Sequence, residues 1–461
     1  MTQTETPGAV ALDVVRLARE GSFAVVFGRL ARPLQALTTP QALQAAWDAE
    51  TGRHGAVTSV GEPIIEPVHA GVVVVKVPVV CERGGMTVVV SVSAGGTLAG
   101  IQLAPPDAAT PTPPWEPPAY ADPSAFTERE LTLGTGPLAV PGTVTTPISP
   151  GPHPAVVLLA GSGPLDRDET IGANKPLKDL AWGLATHGIV VARFDKVSFA
   201  HPAEVSQIVG FTLADEYLPA ALAAIKALRE EPVVDPDRVF LAGHSLGGTA
   251  APRVAAAAEH PIAGLILLAA GAEPLHRAML RQVRYLASLD PATAATMEPA
   301  LATLERQADL IDSDQLSAST PPADLPLGTP AAYWLDLRDY NPTQLAAALH
   351  KPLLILQGGR DYQSTVDDDL ARWKASLQGR PEITIRVYPE HNHLFTPGNG
   401  PSTPAEYEPA QHVDQAVIDD IANWMTRPQV ASPVPSDPTS TRSSSPLMNS
   451  GPRRRRIPSC Q

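Results

Sequence analysis

The sequence predicts an α/β protein: a doubly wound, mostly parallel sheet with a helical lid insertion, preceded by a small α+β domain. Three observations carry this. From Phe126 to about Arg427, short apolar runs bounded by glycine and proline alternate with helical patterns, as repeated βα units do. Over residues 9–103, helical spacing comes first and strand texture follows, the order of an α+β unit. Between Glu273 and Ala346 only helical patterns occur, so this stretch interrupts the strand rhythm and reads as a lid.

The chain has 461 residues, too many for one ordinary domain. Apolar residues make up 44% and charged residues 18%, enough to bury a sizeable core. The net charge of −14 argues against binding nucleic acid or an anionic membrane through general attraction. The two cysteines, Cys81 in an apolar run and Cys460 near the end, make no disulfide framework. The first residues have no basic segment with an apolar stretch behind it, so no signal peptide is expected. The longest apolar runs, Val72–Val80 and Gly264–Gly271, fall short of a bilayer span. The expectation is a soluble, cytoplasmic protein with no membrane or nucleic-acid partner; its oligomeric state, monomer or homo-oligomer, is left open.

Each segment has its own logic. In residues 9–103, Val10, Val14 and Leu17 recur at helical spacing, as do Phe23, Val26, Phe27 and Leu30, and Pro40 opens a third helix through Leu43 and Trp47. Strand runs follow at Ile64–Val68, Val72–Cys81, Met86–Ser93 and Thr97–Leu103. This layout resembles the accessory domain of nuclear-transport-factor-2-like fold that precedes some bacterial hydrolases, which implies a folding or dimerisation module. Residues 104–124 are proline-rich, with Trp115 and Tyr120 among the prolines, and read as a stiff, extended linker. Residues 125–427 form the main domain. Its strands are Pro154–Leu159, Gly188–Arg193, Arg238–Ala242, Ala263–Ala269, Pro352–Gln357 and Ile383–Tyr388. Its helices are Lys178–Thr186, Thr212–Glu231, one from Gly248, Thr365–Leu377 and Gln411–Met425, with the lid at about 273–346. Residues 428–461 are rich in Ser, Pro and Thr and read as a disordered tail whose Arg453–Arg456 run is solvated or a weak electrostatic tether.

Chemistry concentrates at Gly243-His244-Ser245-Leu246-Gly247. A G-x-S-x-G pentamer alone is weak, but this one directly follows an apolar strand and directly precedes a small-residue helix, the setting of a nucleophile elbow. Such a turn is strained and tolerates no bulk two residues either side of the serine, which Gly243 and Gly247 satisfy. A serine hydroxyl needs a base held by an acid. With this elbow the chain order is serine, acid, histidine. Asp361 follows the strand ending at Gln357, where a triad acid belongs; Asp367, Asp368 and Asp369 compete but fall at a helix start. His391 and His393 follow the strand Ile383–Tyr388, and both remain candidate bases. The Leu246 N–H at the helix start is one oxyanion donor, and the turn Ala160–Pro164 should supply the second from Ser162, with Gly163 next. Asp166–Asp168 with Asn174 and Lys175 reads as either an entrance to the site or an internally paired loop. His187 and His244 read as packing residues. No spacing suggests a metal or a phosphate loop, and no cofactor is needed.

Five segments occur in order: Gly161–Asp168, Ile171–Pro176, Ala192–Lys196, Ala242–Gly248 and Asn392–Phe395. Together they resemble bacterial α/β-hydrolase-fold carboxylesterases of the Thermotoga esterase D group, over about Phe126–Arg427. The resemblance implies Ser245 as nucleophile, Asp361 as acid and His393, in the Asn-His-Leu-Phe motif, as base. It departs at Val197, where related enzymes tend to carry a basic residue. The expected function is hydrolysis of carboxylic esters of short or medium acyl chains, a small-molecule substrate, through an acyl-enzyme. An aminopeptidase or acyl-thioesterase would use the same triad, and a non-catalytic ligand-binding scaffold is the remaining alternative. The lid residues Tyr333, Trp334 and Leu335 either form an apolar acyl pocket or pack the lid.

Overall fold

A computed structural model describes residues 6–427 apart from 36–37, 67–71, 94 and 110–112. The stretch 428–461, read as a disordered tail with Cys460 and the arginine run, lies outside the described residues, as do the end of the expected strand Ile64–Val68 and part of the linker.

The first unit opens with helices Pro7–Arg19, Phe23–Arg29, Arg32–Gln35 and Pro40–His54. The Thr6 and Thr39 hydroxyls accept the N–H groups of Ala9 and Ala42, and a proline stands in the first turn of each of those two helices, a capping pattern readable from sequence. Strands β1 (Val57–Val60), β2 (Ile64–Ile65), β3 (Val72–Cys81), β4 (Gly84–Ser93) and β5 (Leu98–Ala104) follow. They pair antiparallel in the order β1-β3-β4-β5, with β2 also on β3. Val10, Val14 and Val26 pack against Val75, Val77, Val88 and Val90 in one core.

The main sheet comprises β6 (Phe126–Leu133), β7 (Val140–Pro147), β8 (His153–Leu159), β9 (Val190–Phe194), β10 (Val234–His244), β11 (Leu265–Leu268), β12 (Leu353–Gly358) and β13 (Ile383–Tyr388). Their order is β13-β12-β11-β10-β8-β9-β7-β6, parallel except where β7 meets β6 and β9. Strands β6 and β7 escaped the sequence reading. The run Thr127–Glu130 is polar, which β6 tolerates as the edge strand, and β7, paired on both sides, carries its two prolines near its ends, at Pro141 and Pro147. Alternation along β10 sends Val239 and Leu241 into one core, Phe240 and Ala242 into another, so helices cover both faces. The expected helix Thr365–Leu377 divides into a π turn, Val366–Leu370, and a helix, Ala371–Ser376.

The lid lies between β11 and β12 and contains helices Leu275–Ser288, Pro291–Asp312, Ala331–Arg338 and Pro342–Leu349. Ile311, Leu316, Leu325, Ala331 and Trp334 give it a small core of its own. Tyr333 is buried in the main core and Trp334 in the lid's own, and neither lines the cavity beneath the lid. The linker is not a free spacer. Trp115 Nε1 donates to Asp179 at 2.9 Å, its ring meets Trp182 edge-on at 4.9 Å, and the Lys178 ammonium lies 4.3 Å from that ring. Tyr120 donates to the Val413 carbonyl at 2.8 Å. Two aromatic side chains cost too much in water to remain undocked. Among the described residues, no helix is long and apolar enough to cross a membrane.

Candidate active site

Strand β10 ends at His244 and the next helix begins at Leu246, leaving Ser245 to make the turn alone. Its φ of 52° and ψ of −121° are strained for a residue with a side chain. The neighbouring glycines are sterically obligatory. A Cβ on Gly243 would lie 2.3 Å from the Gly247 carbonyl oxygen, and one on Gly247 2.4 Å from that of Leu159. The strain lifts the hydroxyl above the carboxyl ends of the strands.

Ser245, Leu246 and Ser162 line one cavity of about 490 Å³ beneath the lid, whose apolar wall includes Leu275, Ala278, Met279 and Leu337. Leu246 is the first helical residue, so its N–H has no intrahelical acceptor. The Ser162 N–H has no acceptor among the described residues. Gly163, at φ 88°, does not line the cavity. Two free amides therefore flank the serine.

Asp361 follows β12 and is buried. Its Oδ1 accepts the N–H groups of Gln363 (2.8 Å) and Ser364 (3.0 Å). Its Oδ2 lies 2.7 Å from Nδ1 of His393 and accepts from Gln357 Nε2 at 3.2 Å. A carboxylate at Nδ1 fixes the proton there and leaves Nε2 as the basic nitrogen. The Asn392 carboxamide oxygen accepts the N–H groups of Leu394 and Thr396, setting the loop that carries His393. The His393 ring stands 4.7 Å from that of His244, the residue before the serine. Among the described residues, Ser245 Oγ makes no hydrogen bond to the imidazole.

The competing candidates have other partners, although Asp369 also lines the cavity. His391 packs on Tyr388, with Nε2 3.4 Å from Asp414. The Asp368 N–H is taken by Thr365 Oγ1 at the π turn. Buried Asp369 accepts the N–H groups of Ala272 and Glu273 and pairs with Arg281 at 3.1 Å, tying β11 to the Asp361 loop. The Asp166–Asp168 loop is engaged in ion pairs, mostly with β6 and the end of β9: Arg167 with Asp195 (2.9 Å) and Glu130, Asp168 with Arg193 (2.9 Å) and, within the loop, Lys175 (3.0 Å).

Sequence reasoning missed a buried charged layer under the site. Glu169 Oε1 accepts the Gly161 N–H at 3.0 Å and meets His244 Nδ1 at 2.8 Å, while His244 Nε2 lies 2.9 Å from the His393 carbonyl. Burial lowers the His244 pKa, but the Glu169 carboxylate and both hydrogen bonds outweigh it and raise it overall. Lys196, fully enclosed, donates to the Gly161 carbonyl and to Tyr217. Burial pulls its pKa down against the opposing pull of Glu216. Three charged residues in and directly after an otherwise apolar strand, Arg193 within β9 and Asp195-Lys196 behind it, were the available signal.

Sheet order, elbow and lid together define an α/β-hydrolase. Residues 175–396 match the family model described as serine aminopeptidase, S33. The chain is 39% identical over 346 residues to esterase EstD of Thermotoga maritima, an alignment covering 75% of this chain and 78% of that one. It therefore belongs to the EstD esterase family and is a carboxylesterase-type hydrolase. Among solved structures, it is similar to an esterase from Pyrococcus furiosus (15% identity, 68% of this chain and 97% of that one, TM-score 0.40). It is also similar to Est1E from Butyrivibrio proteoclasticus (16% identity, 65% and 99%, TM-score 0.42).

Proposed function

We propose that this enzyme cleaves esters of short or medium carboxylic acids through an acyl-enzyme on Ser245. His393 Nε2 takes the hydroxyl proton as the oxygen attacks the ester carbon, then gives it to the leaving alcohol. Water enters by the same base and releases the acid. Asp361 holds the tautomer and stabilises the imidazolium. The amides of Ser162 and Leu246 receive the oxyanion, each worth about 3–4 kcal/mol in comparable sites. The observation that carries this reading is the 2.7 Å contact between Asp361 and His393, whose ring stands 4.7 Å from that of His244, the neighbour of a strained serine in a cavity wall. The apolar wall favours a hydrocarbon acyl group, and the cavity's size suits a chain of modest length. The two cysteines and acidic charge suit a cytoplasmic enzyme.

Labelling by a fluorophosphonate with peptide mapping tests the nucleophile. Modification at Ser245, lost in Ser245→Ala with the fold intact, is expected; an unlabelled wild type would sink the reading. The matched family's description keeps amide cleavage as a second reading. Parallel turnover of p-nitrophenyl esters, aminoacyl anilides and acyl-CoA separates them, and preference for the anilide would overturn the ester assignment.

A further inference from the structure

The peptide group joining Gly161 to Ser162 is held from behind. Its carbonyl oxygen accepts from Lys196 Nζ at 2.8 Å and lies 2.9 Å from the Tyr217 hydroxyl. In a planar trans peptide the carbonyl and the N–H point in opposite directions. Because the carbonyl is turned inward to two buried side chains, the Ser162 N–H is turned outward, on the side of the cavity that Ser162 shares with Ser245. The preceding peptide is fixed in the same manner. The Ala160 carbonyl lies 2.8 Å from the Tyr217 hydroxyl, and the Gly161 N–H, opposite it, donates to Glu169. Neither peptide can rotate without stranding a buried polar group.

The ammonium is built into the fold. Its three protons meet three acceptors: the Gly161 carbonyl, the Tyr217 oxygen and Glu216 Oε1 at 3.2 Å. Glu216 in turn accepts from Ser198 and, through Oε2, from Tyr333 of the lid, each at 2.7 Å. A cation on an amide oxygen draws electron density from the nitrogen, so the N–H of that amide becomes a stronger donor, and the effect is larger in a dry, low-dielectric site.

We propose that Lys196 is a positioning residue for ester hydrolysis: through the Gly161 carbonyl it aims and polarises the Ser162 N–H toward the oxyanion. Tyr217 shares the aiming, and Glu216, steadied by the lid, keeps the cation in place. The inference rests on the Ser162 amide being an oxyanion donor. It concerns only the charge that develops in the transition state, so Lys196 acts on kcat and leaves substrate binding alone.

The test uses full-length Lys196→Met and Tyr217→Phe with a p-nitrophenyl ester, a trifluoromethyl ketone that forms a bound hemiketal oxyanion, and the matching alcohol, which forms none. Lys196→Met is expected to lower kcat about ten- to a hundred-fold with KM within about two-fold, and Tyr217→Phe to lower it less. Ketone affinity should fall with kcat while alcohol affinity stays constant. A folded Lys196→Met with wild-type kcat, or one losing ketone and alcohol affinity equally, overturns the proposal. If Lys196→Met does not fold, an unchanged kcat and ketone affinity in Tyr217→Phe does so. Should the wild type itself bind ketone no tighter than alcohol, the oxyanion-hole reading fails first, independently of either variant.

Discussion

Asp361 Oδ2 lies 2.7 Å from His393 Nδ1, and the other oxygen of the same carboxylate is occupied by the N–H groups of Gln363 and Ser364. The acid is thus oriented by its own loop before it orients the imidazole. Asp361→Asn keeps the shape but presents an amide that can donate to Nδ1, stabilising the wrong tautomer. We expect kcat to fall about 10⁴-fold with little change in KM, measured by steady-state ester hydrolysis at neutral pH.

The two histidines of the Pro389–Phe395 segment are separable. His393→Ala is expected to remove essentially all turnover. His391→Ala, which loses only its packing on Tyr388 and the contact with Asp414, should keep kcat within about three-fold of wild type, as a change away from the reacting atoms does. Retained activity in His393→Ala would reverse the assignment.

His244 predicts a pH-dependent stability. Acceptors face both ring nitrogens, so the charged ring satisfies both, and its folded pKa is raised. A raised pKa contributes stability that is complete below the unfolded value, about 6.5, and is lost as pH rises through the folded one. The melting-temperature advantage of wild type over His244→Gln should therefore be largest near pH 6 and shrink towards alkaline pH. A constant difference across that range would refute the charged-pair account.

Gly243→Ala would place its Cβ 2.3 Å from the Gly247 oxygen, a backbone atom with little room to retreat. A cost of about 3 kcal/mol or more is expected from such overpacking, read from denaturant unfolding, together with loss of fluorophosphonate labelling.

Met279 lines the cavity from the first lid helix. Met279→Trp should reduce kcat/KM for the longest accepted acyl chain by about ten-fold or more while sparing acetyl esters, shown by an acyl-length series. An unchanged series would place the acyl group elsewhere.

Several features were legible in the sequence because they obey local rules. The buried strands Pro154–Leu159 and Pro352–Gln357 announce themselves as apolar runs, and the helix Thr212–Glu231 by the apolar face of Leu213, Tyr217, Leu218, Leu222, Ile225 and Leu228. The elbow is legible because a sterically impossible turn leaves only glycine at Gly243 and Gly247. Ser245, Asp361 and a pair of histidines, His391 and His393, each stood just beyond a strand end in the sequence. What sequence could not supply was any relation that depends on distance across the sheet. The resemblance of Asn392–Phe395 to a family motif chose His393 over His391 before its contact with Asp361 was visible. The tertiary structure alone decided that Trp115 docks on Asp179 rather than spanning free water, and that Tyr333 docks the lid on the main core rather than lining the pocket. It alone placed Glu169, Lys196 and Tyr217 around the two peptide groups that flank Gly161. The physical reason is the same throughout. Chain periodicity reports which side of an element is buried, whereas a buried charge is tolerable only beside specific partners, and those partners lie 8 to 75 residues away along the chain.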